Sequence, residues 1–306
     1  MDKVLISDIV DRLGVSKYTY FMFFLVGLAL LFDGYDYMIV AYTMPQMAAE
    51  WGLTKVQTGS LTSWSLIGLI IGGLISGVVS DHIGRKKTLV IFVAAYSMLT
   101  WPIYFVHSFE IFAILRILSG VGLGACIPVA VTLMAESAPT SKRGFFTSSI
   151  MSFYIFGWVV AGIVAIYIVP VFGWRVCYLT GGLPALYSIF LWFKMSESAH
   201  WLLRKGREEE AIKVVQRIEI MAKGTAENWS VGTLTTLAPA KQGNAKEIFS
   251  KRFRKVTITN WTIYFMGSVL IYGISGGLPT LLVEAGYGLV KGYSFAVLQN
   301  LFSVAG

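Results

Sequence analysis

Two carboxylates stand inside an apolar stretch long enough to cross a membrane: Leu30-Leu31-Phe32-Asp33-Gly34-Tyr35-Asp36, within a run covering residues 19–42. A charged side chain at membrane depth costs about 2.5–3.5 kcal/mol on insertion scales, so it is confined to faces turned toward protein or water. Asp33 and Asp36 are three residues apart and share one helical face. Any fold of this chain must therefore build a cavity or a counter-charge against that face.

The rest of the chain is as apolar as that stretch. Of 306 residues, 56% are hydrophobic and 14% are charged, against about 25% charged in soluble domains. A transmembrane helix needs about 20 apolar residues. Candidate spans cover residues 19–42, 56–80, 88–106, 109–134, 145–169, 174–193 and 256–283, and an eighth begins near Tyr293. Cys126 and Cys177 lie in apolar runs and read as small buried hydrophobes rather than a disulfide framework. Leu5, Ile9 and Leu13 repeat at helical spacing before the first span, which predicts a short helix on the membrane surface.

Between the sixth and seventh spans lies a polar stretch. Residues 208–218 have amphipathic helical spacing, with Glu209 and Lys213 placed for an i,i+4 pair. The basic residues orient the spans. With the N-terminus inside, Lys3, Arg12, Lys17, Arg85, Lys86, Lys87, Lys142, Arg143 and the whole basic set from Lys194 to Lys255 are cytoplasmic. Only Lys55, Arg175 and Lys291 fall outside, and Arg116 lies in a span. The net charge of +8 thus reflects sidedness and does not call for a nucleic-acid partner. The organisation expected is a cytoplasmic N-terminal segment (1–18), a six-helix bundle (19–194), a cytoplasmic connecting loop (195–255) and the start of a second bundle (256–306). Six spans, a long basic loop and further spans match one half of a twelve-helix transporter built from two repeats around a midplane site. The last residues are apolar with no polar flank, so the chain reads as a fragment ending in the second helix of its second bundle, not expected to transport alone.

Several motifs sharpen this. After the second span comes Gly77-Val78-Val79-Ser80-Asp81-His82-Ile83-Gly84-Arg85-Lys86-Lys87, which resembles the cytoplasmic signature of the major facilitator superfamily. His82 departs from the basic residue usual there. The resemblance implies that Gly77, Asp81, Gly84, Arg85 and Lys86 form a cytoplasmic gate, the glycines giving a turn and close helix contact and Asp81 pairing with arginine across the two halves. In the fourth span, Arg116 followed by Gly120, Gly122, Gly124 and Pro128 is similar to the same superfamily's fourth-helix pattern. Gly120 and Gly124 make a small face for helix packing, as do Gly68, Gly72 and Ser76 in the second span. Ser196-Glu197-Ser198-Ala199-His200-Trp201-Leu202 resembles an element of the sugar and organic-ion branches, with departures at Ser196, Ala199 and His200. Asp33-Gly34-Tyr35-Asp36 resembles the first helix of the aromatic acid:proton symporters and related metabolite:proton symporters. The implied fold is an all-α major facilitator bundle in the plasma membrane, acting as a monomer when full length and needing no cofactor or metal.

Charge placement suggests how such a protein works. At about 1.5 Å per residue, Asp33 lies about 21 Å from the inner face of a core about 30 Å thick, hence about 9 Å from the outer face. Arg116, on a helix entering from outside, lies about 10 Å deep. Acid and base therefore reach similar depth. Arg116 is a candidate to grip the carboxylate of an organic anion through its bidentate fork, and Asp33 or Asp36 to carry the coupling proton. The competing expectation is a purely structural Arg–Asp pair holding two helices together. No histidine is available for the proton, since His82, His107 and His200 read as loop residues. Tyr37, Trp64, Tyr154, Trp158, Tyr264 and Tyr272 could face an aromatic substrate, and Trp64 is favoured because Thr62, Ser63 and Ser65 surround it. Proton-coupled symport of an aromatic acid such as a hydroxybenzoate is expected. The alternative is symport or uniport of a short organic acid, a nicotinate-like compound or a sugar. A sensor would need a signalling domain and an enzyme a catalytic constellation; neither has a signature here.

Overall fold

The computed structural model describes residues 3–236 and 248–305. The first long helix is α2 (Lys17–Trp51), capped at Ser16 by a reciprocal Ser–Thr box and ended by Gly52 in the left-handed conformation. It continues through Pro45 and so exceeds the span expected to stop at residue 42. Then come α3 (Lys55–Ile83), α4 (Arg85–Thr100) with a 3-10 turn at Trp101–Phe105, α5 (Phe109–Ser137) and α6 (Arg143–Phe172). The sixth span is broken into α7 (Val176–Thr180) and α8 (Leu183–Lys194). Its backbone is repaired by Ser97 of α4, whose hydroxyl donates to the Gly181 carbonyl (2.9 Å) and accepts from the Ala185 amide (3.0 Å). Irregular backbone at membrane depth is tolerated only with such partners. After the polar connection, α11 (Arg254–Glu284) and α12 (Leu289–Ala305) follow. Among the described residues seven helical segments are long and apolar enough to cross a membrane.

Glycines set the helix crossings. α3 packs on α5 and α2 on α6. A Cβ at Gly68 or Gly72 would strike the carbonyls of Ile117 and Val121, and one at Gly124 that of Leu69. Gly34, inside the acidic motif, faces the Tyr154 carbonyl in the same way, and Gly157 faces that of Leu31. Dispersion and close backbone approach, rather than hydrophobic transfer, hold such crossings in lipid. α12 closes on the first bundle through Tyr293, whose ring lies 5.5 Å from that of Tyr42, and through Asn300, whose Nδ2 donates to the Tyr42 hydroxyl (3.3 Å).

The N-terminal segment departs from expectation. α1 (Ile6–Leu13) does not spread its apolar face on a membrane. Ile6, Ile9 and Val10 pack with Ala199, Val215 and Leu234 of the connecting segment. The short strand β1 (Val4–Leu5) pairs in parallel with β2 (Leu234–Thr235). The apolar stripe was legible; its partner was not, because a stripe does not say which surface covers it. The connecting segment contributes α9 (Ala199–Arg204) and the expected surface helix, longer than read, as α10 (Glu208–Lys223). Among the described residues the pairs formed there are Arg207–Glu210 (2.6 Å) and Lys223 with Glu219 (3.3 Å) and Glu227 (2.9 Å), not Glu209–Lys213.

Replacing Gly34 by Ala should push α2 and α6 apart, at an overpacking cost of about 1–3 kcal/mol. A thermal melt in detergent checks this against Gly77→Ala, where nothing lies within 4 Å and the melt should not fall. An unchanged melt for Gly34→Ala would contradict the close crossing.

Candidate functional site

The centre of the first bundle is a buried ion pair. Arg116 donates from Nη1 to Asp36 Oδ2 (2.9 Å), from Nη2 to the Asp36 carbonyl (3.0 Å) and from Nε to Ser65 Oγ (2.9 Å). Arg116 and Asp36 are both fully buried. The small-residue crossing of α3 and α5 brings Ser65 to the guanidinium, and the α2 backbone supplies the second carbonyl contact. One cation thus ties three helices. Ser65 had appeared only as part of a polar stretch in the second span; its link to Arg116 depends on the crossing.

Asp33 lies one turn earlier on α2. It is fully buried, and neither of its carboxyl oxygens has a hydrogen-bond partner; Asp36 Oδ1 is also unpartnered. The structure therefore separates the two acids that the sequence left equivalent: Asp36 is locked to arginine and Asp33 is free. A buried carboxylate without donors is costly to keep as it stands.

A cavity of about 770 Å³ opens between α2, α3 and α11, lined by Tyr37, Thr62, Ser63, Phe265, Ser268 and Tyr272 with other apolar and glycine neighbours. No charged side chain lines it among the described residues. Arg116 lies outside the lining, and three of its N–H groups are already engaged, so it does not present a free fork to this cavity. Trp64 also points elsewhere: its ring is 6.4 Å from that of Phe109. Tyr264 is 77% exposed, on the outer side of α11. Helical phase decides both cases, since Thr62 and Ser63 face the cavity while the next residue turns toward α5. Tyr37 does line the cavity, and Tyr154 lies buried nearby on α6.

At the junction of α3 and α4, Arg85 binds Asp81 (2.7 Å), the Ser80 carbonyl (3.0 Å) and, at 3.9 Å, Glu136. Asp81, in the last turn of α3, pairs with Arg85 at the start of α4, and its side chain keeps an open face. Gly84, with φ +103°, makes the turn. Gly77 sits inside α3 and makes neither a turn nor a close contact. Lys86 stands 5.4 Å over the Trp192 ring, and its amide donates to Glu197 Oε1 (2.9 Å). Glu197 therefore seats a carboxylate at the N-terminus of α4, where helix amides favour an anion. His82 belongs to the last turn of α3 and His200 to α9, so only His107 stands between helices. Burial first, then the charges of Arg204, Arg143 and Arg85, lowers the His200 pKa to about 4.

A bundle of membrane-crossing helices around a buried acid–base pair, with a neutral central cavity, is the architecture of a membrane carrier. The chain belongs to the Major Facilitator Superfamily, whose signature it matches over residues 5–306. It is 33% identical to a niacin transporter of Acinetobacter baylyi over 97% of this chain and 67% of that protein. It is 32% identical to a gallate transporter of Pseudomonas putida, over 98% of this chain and 66% of that protein, and 30% identical to a 4-hydroxybenzoate transporter of A. baylyi, over 97% and 65%. The chain thus spans about two thirds of the length of these relatives. The fold matches a partially occluded, inward-open xylose transporter from E. coli with a TM-score of 0.71 and 19% identity, over 95% of this chain and 69% of that one. The chain is a multi-pass membrane protein of a transporter family, as its gate and fourth-helix motifs implied.

Substituting Asp36 by Asn should destabilise the bundle by about 3–5 kcal/mol, because a buried guanidinium loses its counter-charge. Adding Arg116→Leu should recover part of that loss, as read by detergent unfolding; equal or additive losses would exclude the pairing. For His200, a folded pKa of about 4 lies below the ordinary 6.5. The unfolded state then binds more protons between those values, so stability is full above pH 6.5 and declines as pH falls toward 4. His200→Gln should flatten that slope in melts across this range.

Proposed function

We propose that this chain serves in a carrier for proton-coupled symport of a small organic anion, with aromatic acids as the substrate class. The carrying observation is Asp33: a fully buried carboxyl without a partner, one helical turn from an arginine-locked acid. Asp33 takes the coupling proton and Asp36 stays paired. When the proton leaves, the new anion on α2 competes with Asp36 for Arg116. That loosens the contact tying α2 to α3 and α5, and so couples proton release to helix movement. Arg116 acts in this scheme as the holder of Asp36 rather than as a permanent substrate ligand. The substrate meets the neutral cavity, where Thr62, Ser63 and Ser268 offer hydroxyls and Tyr37 offers a ring.

The aromatic preference rests on the cavity's tyrosines and on relatives named for gallate, 4-hydroxybenzoate and niacin transport. The distribution of basic residues supports a plasma-membrane orientation with the N-terminus in the cytoplasm. Asp81, Arg85 and Lys86, with Gly84 at the turn, act as the cytoplasmic gate.

In membrane vesicles from cells expressing the protein, an imposed pH gradient should drive uptake of labelled 4-hydroxybenzoate. Asp33→Asn should abolish the gradient-driven part while the folded yield stays near wild type. Gradient-driven uptake that survives in Asp33→Asn would refute the proton role. Failure of any aromatic acid to compete would refute the substrate class.

A further inference from the structure

Deeper than the cavity wall lies a cluster of four rings that the scheme above leaves unused. Tyr37 of α2, Trp158 of α6 and Tyr272 of α11 form a triangle, with centroids 6.1 Å (Tyr37–Trp158), 5.4 Å (Tyr37–Tyr272) and 6.0 Å (Trp158–Tyr272) apart. Tyr154 packs edge-on to Trp158 at 5.6 Å. Tyr37 and Tyr272 line the cavity, while Trp158 packs against both rings from outside the lining. Tyr154 and Trp158 are each 4% exposed, and the Tyr154 hydroxyl and Trp158 Nε1, though close to one another, make no well-formed hydrogen bond. An indole N–H can only donate, and a buried polar group without a partner is costly. Two buried, unfilled polar groups at one end of a neutral cavity call for a ligand that brings an acceptor.

The triangle also shows what shape that ligand has. Tyr272 is the member contributed by α11; Tyr37 and Trp158 come from the first bundle. Its side chain is a planar phenol resting against both. An incoming hydroxylated ring of the same outline can take that place when α11 draws away, keeping edge-to-face contact with Tyr37 and Trp158. Resting on the aromatic-anion reading above, we propose that Trp158 and Tyr154 are specificity-determining residues. They select planar aromatic acids bearing a hydrogen-bond acceptor on the ring remote from the carboxylate, a hydroxyl oxygen or a ring nitrogen, over the unsubstituted acid. Tyr272 holds the ring site in the substrate-free protein.

The test is binding of labelled 4-hydroxybenzoate, nicotinate and benzoate to the purified protein in nanodiscs by equilibrium dialysis, for wild type, Trp158→Phe, Tyr154→Phe and Tyr272→Ala. Wild type should prefer the two acceptor-bearing acids over benzoate by about tenfold, the order expected for filling a buried donor. Trp158→Phe, which keeps a ring but removes the N–H, should erase most of that preference while benzoate binding is retained, and Tyr154→Phe should erase part of it. Tyr272→Ala should tighten binding of all three acids by clearing the site. Benzoate bound as well as the others by wild type, or a preference untouched in both Trp158→Phe and Tyr154→Phe, overturns the specificity assignment and leaves the aromatic-anion reading standing. No binding of any aromatic acid by wild type overturns both.

Discussion

One guanidinium organises the first bundle. Arg116 is fully buried, and among its contacts are the side chain and backbone carbonyl of Asp36 and the Ser65 hydroxyl. In a hydrocarbon surround such a group persists only if its charge and donors are met inside the protein. That requirement fixes the distance of α5 from α2 and α3, and the glycine faces of α3 and α5 exist in the space it leaves. Close helix approach and ion pairing are therefore one constraint seen from two sides.

The same constraint makes Asp33 distinctive. Arginine serves a single carboxylate here, and the chain carries a second one on the same helical face. Gly34 allows α6 to close over that face, so the second acid is shut away from water and from other donors. A group in that position has two low-energy options, to hold a proton or to capture the arginine from its neighbour.

The helix ends beside the connecting segment show a different economy of charge. Arg85 bridges Asp81 and Glu136, Glu197 sits at the start of α4, and Asp11 accepts from the Thr140 hydroxyl (2.8 Å). These contacts lie at helix ends and hold the connecting segment and the N-terminal helix to the bundle. On the opposite face, Glu50 receives two donors from Arg175 and one from the Trp174 indole. Each end of the bundle is thus pinned by local ionic contacts, in addition to the buried Arg116–Asp36 pair at its centre.

The sequence by itself determined that the chain crosses a membrane repeatedly, which residues are charged at depth, and that Gly68, Gly72, Gly120 and Gly124 face other helices. Each of these follows from local composition and a 3.6-residue period. It also put Arg116 and the acids at matching depth, because helical rise is uniform. Only tertiary structure decided that Asp36 rather than Asp33 holds the arginine, that Trp64 and Tyr264 turn from the cavity while Tyr272 lines it, and that the first amphipathic helix docks on protein rather than on lipid. Asp33 and Asp36 have the same charge and the same face; a few ångströms of helix crossing separate a paired acid from an unpaired one. Such distances belong to the packing of remote segments, and no local pattern encodes them.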